Sequence, residues 1–303
     1  MLYFWILFNL FALGMLALDL LVLHRRGRVV RSRDAFAWTA VWVALAAAFA
    51  GLICFCQGRQ IALEFVTGYI LELSLSVDNL FIFLIIFRYF AVPEQYQRKV
   101  LFWGILGALL MRGLFIVAGV GLINRFHWIL YLLGALLIYS GIRLGFAGEH
   151  RVDPAANPAV KALRRWIPLT DGFAGGHFFV RGWNGNPGLY ATPLLVVLIV
   201  IETTDLLFAV DSIPAILAVT LNAFIIYTSN VFAILGLRSM FFAISGLMNR
   251  FRLLHAGLAV VLILVGLKMI ASDYFHVPTL GMLAVVAGVL AVSVAASLLW
   301  KET

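Results

Sequence analysis

The amino-acid sequence predicts an all-α polytopic membrane protein of about nine transmembrane helices, with an inverted repeat of three helices. Three observations carry that prediction. Hydrophobic residues make up 64% of the chain and charged residues 12%, against about 25% charged in soluble domains. The apolar residues gather into runs long enough to cross a bilayer, for which a helix needs about 20 residues. Lys and Arg concentrate in alternate connecting segments, as their preference for cytoplasmic loops requires.

The nine runs fall at roughly 3–23, 36–56, 62–87, 100–123, 127–147, 191–220, 223–248, 253–271 and 278–300. No basic residue precedes the first and no small-residue cleavage site follows it, so it reads as an anchor with its N-terminus outside. Asp19 near its inner end belongs at the interface, beside His24 and the arginines Arg25, Arg26, Arg28, Arg31 and Arg33. The second run carries Cys54 and Cys56, read as packed thiols and not as a metal site or disulfide. Residues 1–60 thus hold two N-terminal spans, 61–147 three more, 148–190 a cytoplasmic loop, 191–272 three again, and 273–303 the last span. That last run has no ionisable residue and is most simply a brace against lipid.

The net charge of +8 would point to nucleic acid in a soluble protein; here the sorting of the charge excludes it. Arg88, Arg98 and Lys99 follow the third run, and Arg151, Lys161, Arg164, Arg165 and Arg181 lie between the fifth and sixth. Arg250 and Arg252 follow the seventh, and Lys301 the ninth; the intervening loops hold little beyond Arg59 and Arg125. This places the N-terminus outside and the C-terminus in the cytoplasm. Within the loop 148–190, Pro154 and Pro158 precede a basic stretch from Lys161 to Arg165. Phe178–Arg181 and Leu189–Ala191 flank Gly-Trp-Asn-Gly-Asn-Pro-Gly and read as a β-hairpin, because Asn and Gly accept the positive φ of tight turns. The loop reads as a linker lying against headgroups, with gating or anchoring of the sixth span as the sharper alternative.

Two acidic segments stand inside the third and sixth runs: Glu72-Leu-Ser-Leu-Ser-Val-Asp78-Asn79 and Glu202-Thr-Thr-Asp205-Leu-Leu-Phe-Ala-Val-Asp211-Ser212. Aligned, they place Glu72 opposite Asp205 and Asp78 opposite Asp211. Downstream, Leu122-Ile-Asn-Arg-Phe126 matches Leu247-Met-Asn-Arg-Phe251, and Ser140-Gly-Ile-Arg143 matches Val265-Gly-Leu-Lys268. Arg112 falls opposite Arg238 when the first copy carries a longer connection. Each copy has an odd number of spans, so the two enter the membrane in opposite senses, a recurrent plan of secondary transporters.

A carboxylate at bilayer depth costs several kcal/mol and persists when it faces a bundle interior, a wet cavity or a counter-charge. At 100° per residue, Glu72, Ser76 and Asn79 share a helix face while Asp78 and Asp211 point elsewhere. Either different neighbouring helices receive these groups, or the helices unwind locally. Pro214 favours unwinding in the second copy, since it crowds the Val210 carbonyl. Phe81 stands at the matching place in the first. The donors are carboxylates, an amide and hydroxyls, with none of the six histidines beside them; such oxygens suit a hard divalent cation. The plainer alternative is that Arg112 and Arg238 neutralise two of the acids for packing alone. Acids without a cation at such depth take up protons, which is the response that cation–proton exchange needs.

The two acidic segments resemble the paired signatures of the TerC/Alx membrane proteins. Leu18-Asp19-Leu, Ala91-Val-Pro-Glu94, Leu101-Phe-Trp-Gly104 and Phe126-His-Trp128 are similar to that family as well. The resemblance implies an integral membrane protein linked historically to tellurium resistance and, in several members, to manganese export; the bacterial inner membrane is the expected location. It implies metal-facing roles for Glu72, Asp78, Asn79, Glu202, Asp205, Asp211 and Ser212. The resulting expectation is a manganese(II) exporter exchanging metal for protons across the lipid bilayer, with no resident cofactor and no protein partner indicated. The rival is a non-transporting membrane partner that supplies metal to other enzymes or acts in tellurium or metal stress. An intramembrane enzyme is disfavoured, since the chain lacks a His-Glu-x-x-His zinc helix and a Gly-x-Ser-x-Gly nucleophile turn.

Overall fold

A computed structural model describes residues 2–24, 32–146, 157–244, 253–275 and 277–299. Arg250, the Leu247–Phe251 copy of the Asn-Arg-Phe motif, Lys301 and the start of the 148–190 loop lie outside the described residues. So do the side chains of Asp19, Asp78 and Arg238.

The chain folds into α1 (Leu2–His24), α2 (Ser32–Gln57), α3 (Arg59–Tyr89), α4 (Glu94–Arg125) and α5 (Ile129–Phe146). There follow α6 (Pro158–Trp166), β1 (Phe179–Trp183), β2 (Asn186–Ala191), α7 (Pro193–Leu217), α8 (Ala223–Ile244), α9 (Leu254–Ile270) and α10 (Thr279–Leu299). Among the described residues, eight helices are long and apolar enough to cross a membrane, and α1 is apolar over the shorter stretch Tyr3–Leu18. The protein is an all-α polytopic membrane protein. Helix α4 begins six residues before its apolar run, because Glu94–Lys99 forms polar first turns after Pro93. At about 1.5 Å per residue its 32 residues exceed the roughly 30 Å hydrocarbon core.

The chain divides into two compact units. The first holds Met1–Asp78, Arg112–Gly148 and Val210–Thr303; the second holds Asn79–Met111 and Glu149–Ala209. Helices α3, α4 and α7 therefore each contribute to both.

In the first unit, α5 and α9 run antiparallel in the closest helix contact. A Cβ on Gly266 would stand 2.7 Å from the Gly134 carbonyl and 3.1 Å from the Ile138 nitrogen. A Cβ on Gly141 would stand 2.8 Å from the Ala259 carbonyl. Small residues let the two backbones meet, which is how membrane helices gain packing where lipid offers no hydrophobic drive. An aromatic core joins α1, α2, α3 and α8: Phe49 of α2 lies 5.1 Å from Phe232 of α8 and 5.2 Å from Phe65 of α3, and Phe8 of α1 lies 5.8 Å from Phe232. At the end of α7, Lys268 donates to the Ala218 carbonyl at 2.5 Å, where the unpaired carbonyls of a helix C-terminus attract a cation.

The second unit joins the start of α4 and α7 to the loop. Lys99 donates to the Gly176 carbonyl at 2.9 Å and lies over the Phe178 ring at 4.8 Å. The predicted hairpin is present: Val180 pairs with Tyr190 and Arg181 with Leu189. Asn184 and Gly185 form its two-residue turn with φ of 51° and 82°, the double positive φ of a type I′ turn. Helix α6 was not anticipated. It was legible in Asn157-Pro158, whose Asn side chain accepts from the Ala159 and Val160 nitrogens while Pro stands in the first turn.

Two expectations need correcting. Helix α7 runs unbroken through Asp211 and Pro214. The proline removes one donor and only three helical residues follow it, so no unwound segment is required. Cys54 and Cys56 are exposed on α2, not packed against protein, because an apolar run alone does not tell a lipid-facing stripe from an interior one.

Replacing Gly266 by Val should force α5 from α9 and lower stability by about 1–3 kcal/mol through overpacking, read as thermal unfolding in detergent. Gly288 has open space where its Cβ would stand, so Gly288→Ala should leave the transition in place or raise it slightly, as a helix interior favours Ala over Gly.

Candidate functional site

In the first unit the buried polar groups of α3, α4, α7 and α8 meet. Glu72 and Arg112 form an ion pair with both side chains essentially inaccessible. The same Arg112 nitrogen, Nη1, donates to Asn230 Oδ1 at 3.2 Å and to Ser212 Oγ at 3.3 Å. Asn230 completes the ring by donating from Nδ2 to Glu72 Oε2 at 3.1 Å. Each group satisfies another, which is what permits charge at this depth: a lone buried ion would have to neutralise or stay in water. Nearby in the sequence, Asp211 is half-buried and accepts a 2.6 Å bond from Ser140 Oγ of α5.

In the second unit Asn79 of α3 and Asp205 of α7 are both buried, with Asn79 Nδ2 3.5 Å from Asp205 Oδ1. Glu202 stands three residues earlier on α7, half-buried against α4. A Cβ on Gly107 would collide with its carboxylate, so the glycine is what lets Glu202 fit there. Beside it, Thr203 Oγ1 accepts a 2.7 Å bond from the Asn157 amide that caps α6.

The structure thus distributes the residues singled out in the sequence. Glu72, Ser212 and Arg112 come together in the first unit, where Asp211 is received by Ser140. Asn79 and Asp205 come together in the second, with Glu202 held against Gly107. Among the described residues, no three His, Cys, Asp or Glu side chains converge; the oxygen groupings mix carboxylates with amides and hydroxyls. Asn230, Ser140 and Gly107 were not anticipated. Asn230 had a signal, since Thr228-Ser229-Asn230 interrupts the apolar first half of its span. Gly107 had none, because a glycine among many shows its neighbour only in three dimensions.

Residues 57–303 match the Integral membrane protein TerC family. The chain belongs to that family. It is 46% identical over 295 residues to a membrane protein of Myxococcus xanthus called STKORF319 and described as uncharacterized, covering 97% of this chain and 92% of that one. It is 47% identical over 285 residues to an Escherichia coli K12 protein provisionally named membrane-bound redox modulator Alx, covering 91% and 88%. An uncharacterized Rickettsia bellii membrane protein is 36% identical over 298 residues, with 98% of each chain covered. No solved structure matches.

Removing Arg112 strands a buried carboxylate. Arg112→Ala should therefore lower stability by about 3–5 kcal/mol, measured by unfolding in detergent. Asn230→Leu, which orphans one donor and one acceptor contact, should cost about 1–3 kcal/mol.

Proposed function

We propose that this TerC family protein is a divalent-cation transporter of the bacterial inner membrane, exporting manganese(II) in exchange for protons. Its N-terminus would lie outside and its C-terminus in the cytoplasm. The observation that carries the reading is the meeting of buried oxygen donors inside apolar helices: α3 with α7 and α8 in one unit, α3 with α7 in the other. Carboxylate, amide and hydroxyl oxygens form the donor set that hard divalent ions prefer. Asp78 and Asp211 would be the core ligands, Asn79 and Ser212 neutral donors, and Glu72, Glu202 and Asp205 would take metal or protons.

The inverted repeat is part of this reading, and the α5–α9 contact supports it. The alignment pairs Gly141 with Gly266, and by the same offset Gly134 with Ala259. Exchanging the copies turns the Gly134–Gly266 contact into the Ala259–Gly141 contact, and both are present. Transporters built from inverted repeats place substrate near the membrane midplane at the repeat interface.

Asp211→Asn should abolish manganese efflux while the protein still inserts, read as cellular manganese under metal load. Gly107→Val should also cut efflux sharply, by displacing Glu202. Wild-type protein in liposomes should move manganese when a pH gradient is imposed. Binding without movement there would favour a membrane partner that hands metal on, and efflux at wild-type rate by Asp211→Asn would end the proposed ligand role.

A further inference from the structure

The side chain of Arg112 is set among oxygens. Its Nη1 is approached by three oxygens of different chemistry: a carboxylate oxygen of Glu72, the amide oxygen of Asn230 at 3.2 Å and the hydroxyl of Ser212 at 3.3 Å. That nitrogen carries only two hydrogens, so the oxygens outnumber the bonds it can donate singly. Such an arrangement surrounds a positive charge more than it serves a donor. The guanidinium and the Glu72, Asn230 and Ser212 side chains are all buried, so their charge is compensated locally and not by solvent. A separate observation lies one turn along α3 from Glu72: Ser76 is fully buried and its hydroxyl has no hydrogen-bond partner among the described residues. Residues four apart share a helix face, and an unsatisfied buried hydroxyl costs free energy that an oxygen-seeking ligand beside Glu72 would recover.

We propose that Arg112 is a tethered cation occupying a divalent-ion site formed by Glu72, Asn230 and Ser212, with Ser76 as an added ligand once the guanidinium withdraws. This deepens the transporter reading and rests on it: the arginine and the ion compete for the same oxygens, so the site stays compensated whether or not the ion is there. An ion would draw in the Asn230 and Ser212 oxygens, from the 3.2 and 3.3 Å at which they stand from Nη1 to the about 2.0–2.6 Å that hard divalent cations require.

The test is manganese binding to purified protein in detergent, followed by the spin-resonance signal of free manganese. Arg112→Gln should bind manganese about tenfold or more tightly than wild type, and adding Glu72→Gln should remove that gain. Arg112→Gln also leaves a buried carboxylate uncompensated, so its unfolding temperature should rise with manganese more than that of the wild type. A preparation that aggregates in chelator should be recovered by manganese. An unchanged affinity, a gain that survives Glu72→Gln, or an aggregating variant that manganese does not recover would each overturn the proposal. Wild-type flux in liposomes separates the two readings. Flux without an affinity gain in Arg112→Gln sinks the tethered-cation proposal alone. Absence of flux sinks transport, and the affinity comparison still decides whether Arg112 fills a cation site.

Discussion

Charge inside an apolar helix bundle must be answered by other groups of the protein, because lipid offers neither hydrogen bonds nor a high dielectric. The ring of Glu72, Arg112, Asn230 and Ser212 is the clearest answer in this molecule. It ties α3, α4, α7 and α8 at buried points. Asn230 joins both members of the ion pair: its carbonyl receives the arginine and its amide supports the glutamate, so both of its ends are used.

Around that polar centre the scaffold is held by close fit. Glycines at the α5–α9 crossing bring backbone against backbone, and aromatic rings of α1, α2, α3 and α8 fill the space between helices. The same device recurs at Gly107, where a missing Cβ leaves room for the Glu202 carboxylate. Packing and site are thus made from one resource, the small residue that lets a neighbour approach.

The connection between α6 and α7 shows local and tertiary rules agreeing. Asn184-Gly185 turns the hairpin by backbone preference alone, and Thr192 Oγ1 then ties its base by donating to the His177 carbonyl at 2.6 Å. The Asn157 amide does double service, capping α6 through its oxygen and reaching Thr203 through its nitrogen. The described part of the loop is therefore attached to α7 next to Glu202.

Much was legible in the sequence by itself: the helical membrane class, the position of most apolar helices to within a few residues, the hairpin, and the presence of acidic residues inside apolar helices. These follow from local physics, since run length, charge sorting and turn residues act within a few positions of the chain. Only the tertiary structure decided that α7 stays helical past Pro214, that Cys54 and Cys56 are exposed, and that Glu72 faces Arg112 and Asn230. Which side of a uniformly apolar helix meets protein, and which distant donor meets a buried carboxylate, depend on how helices far apart in the chain come together. No periodicity marks that choice when nearly every residue is apolar.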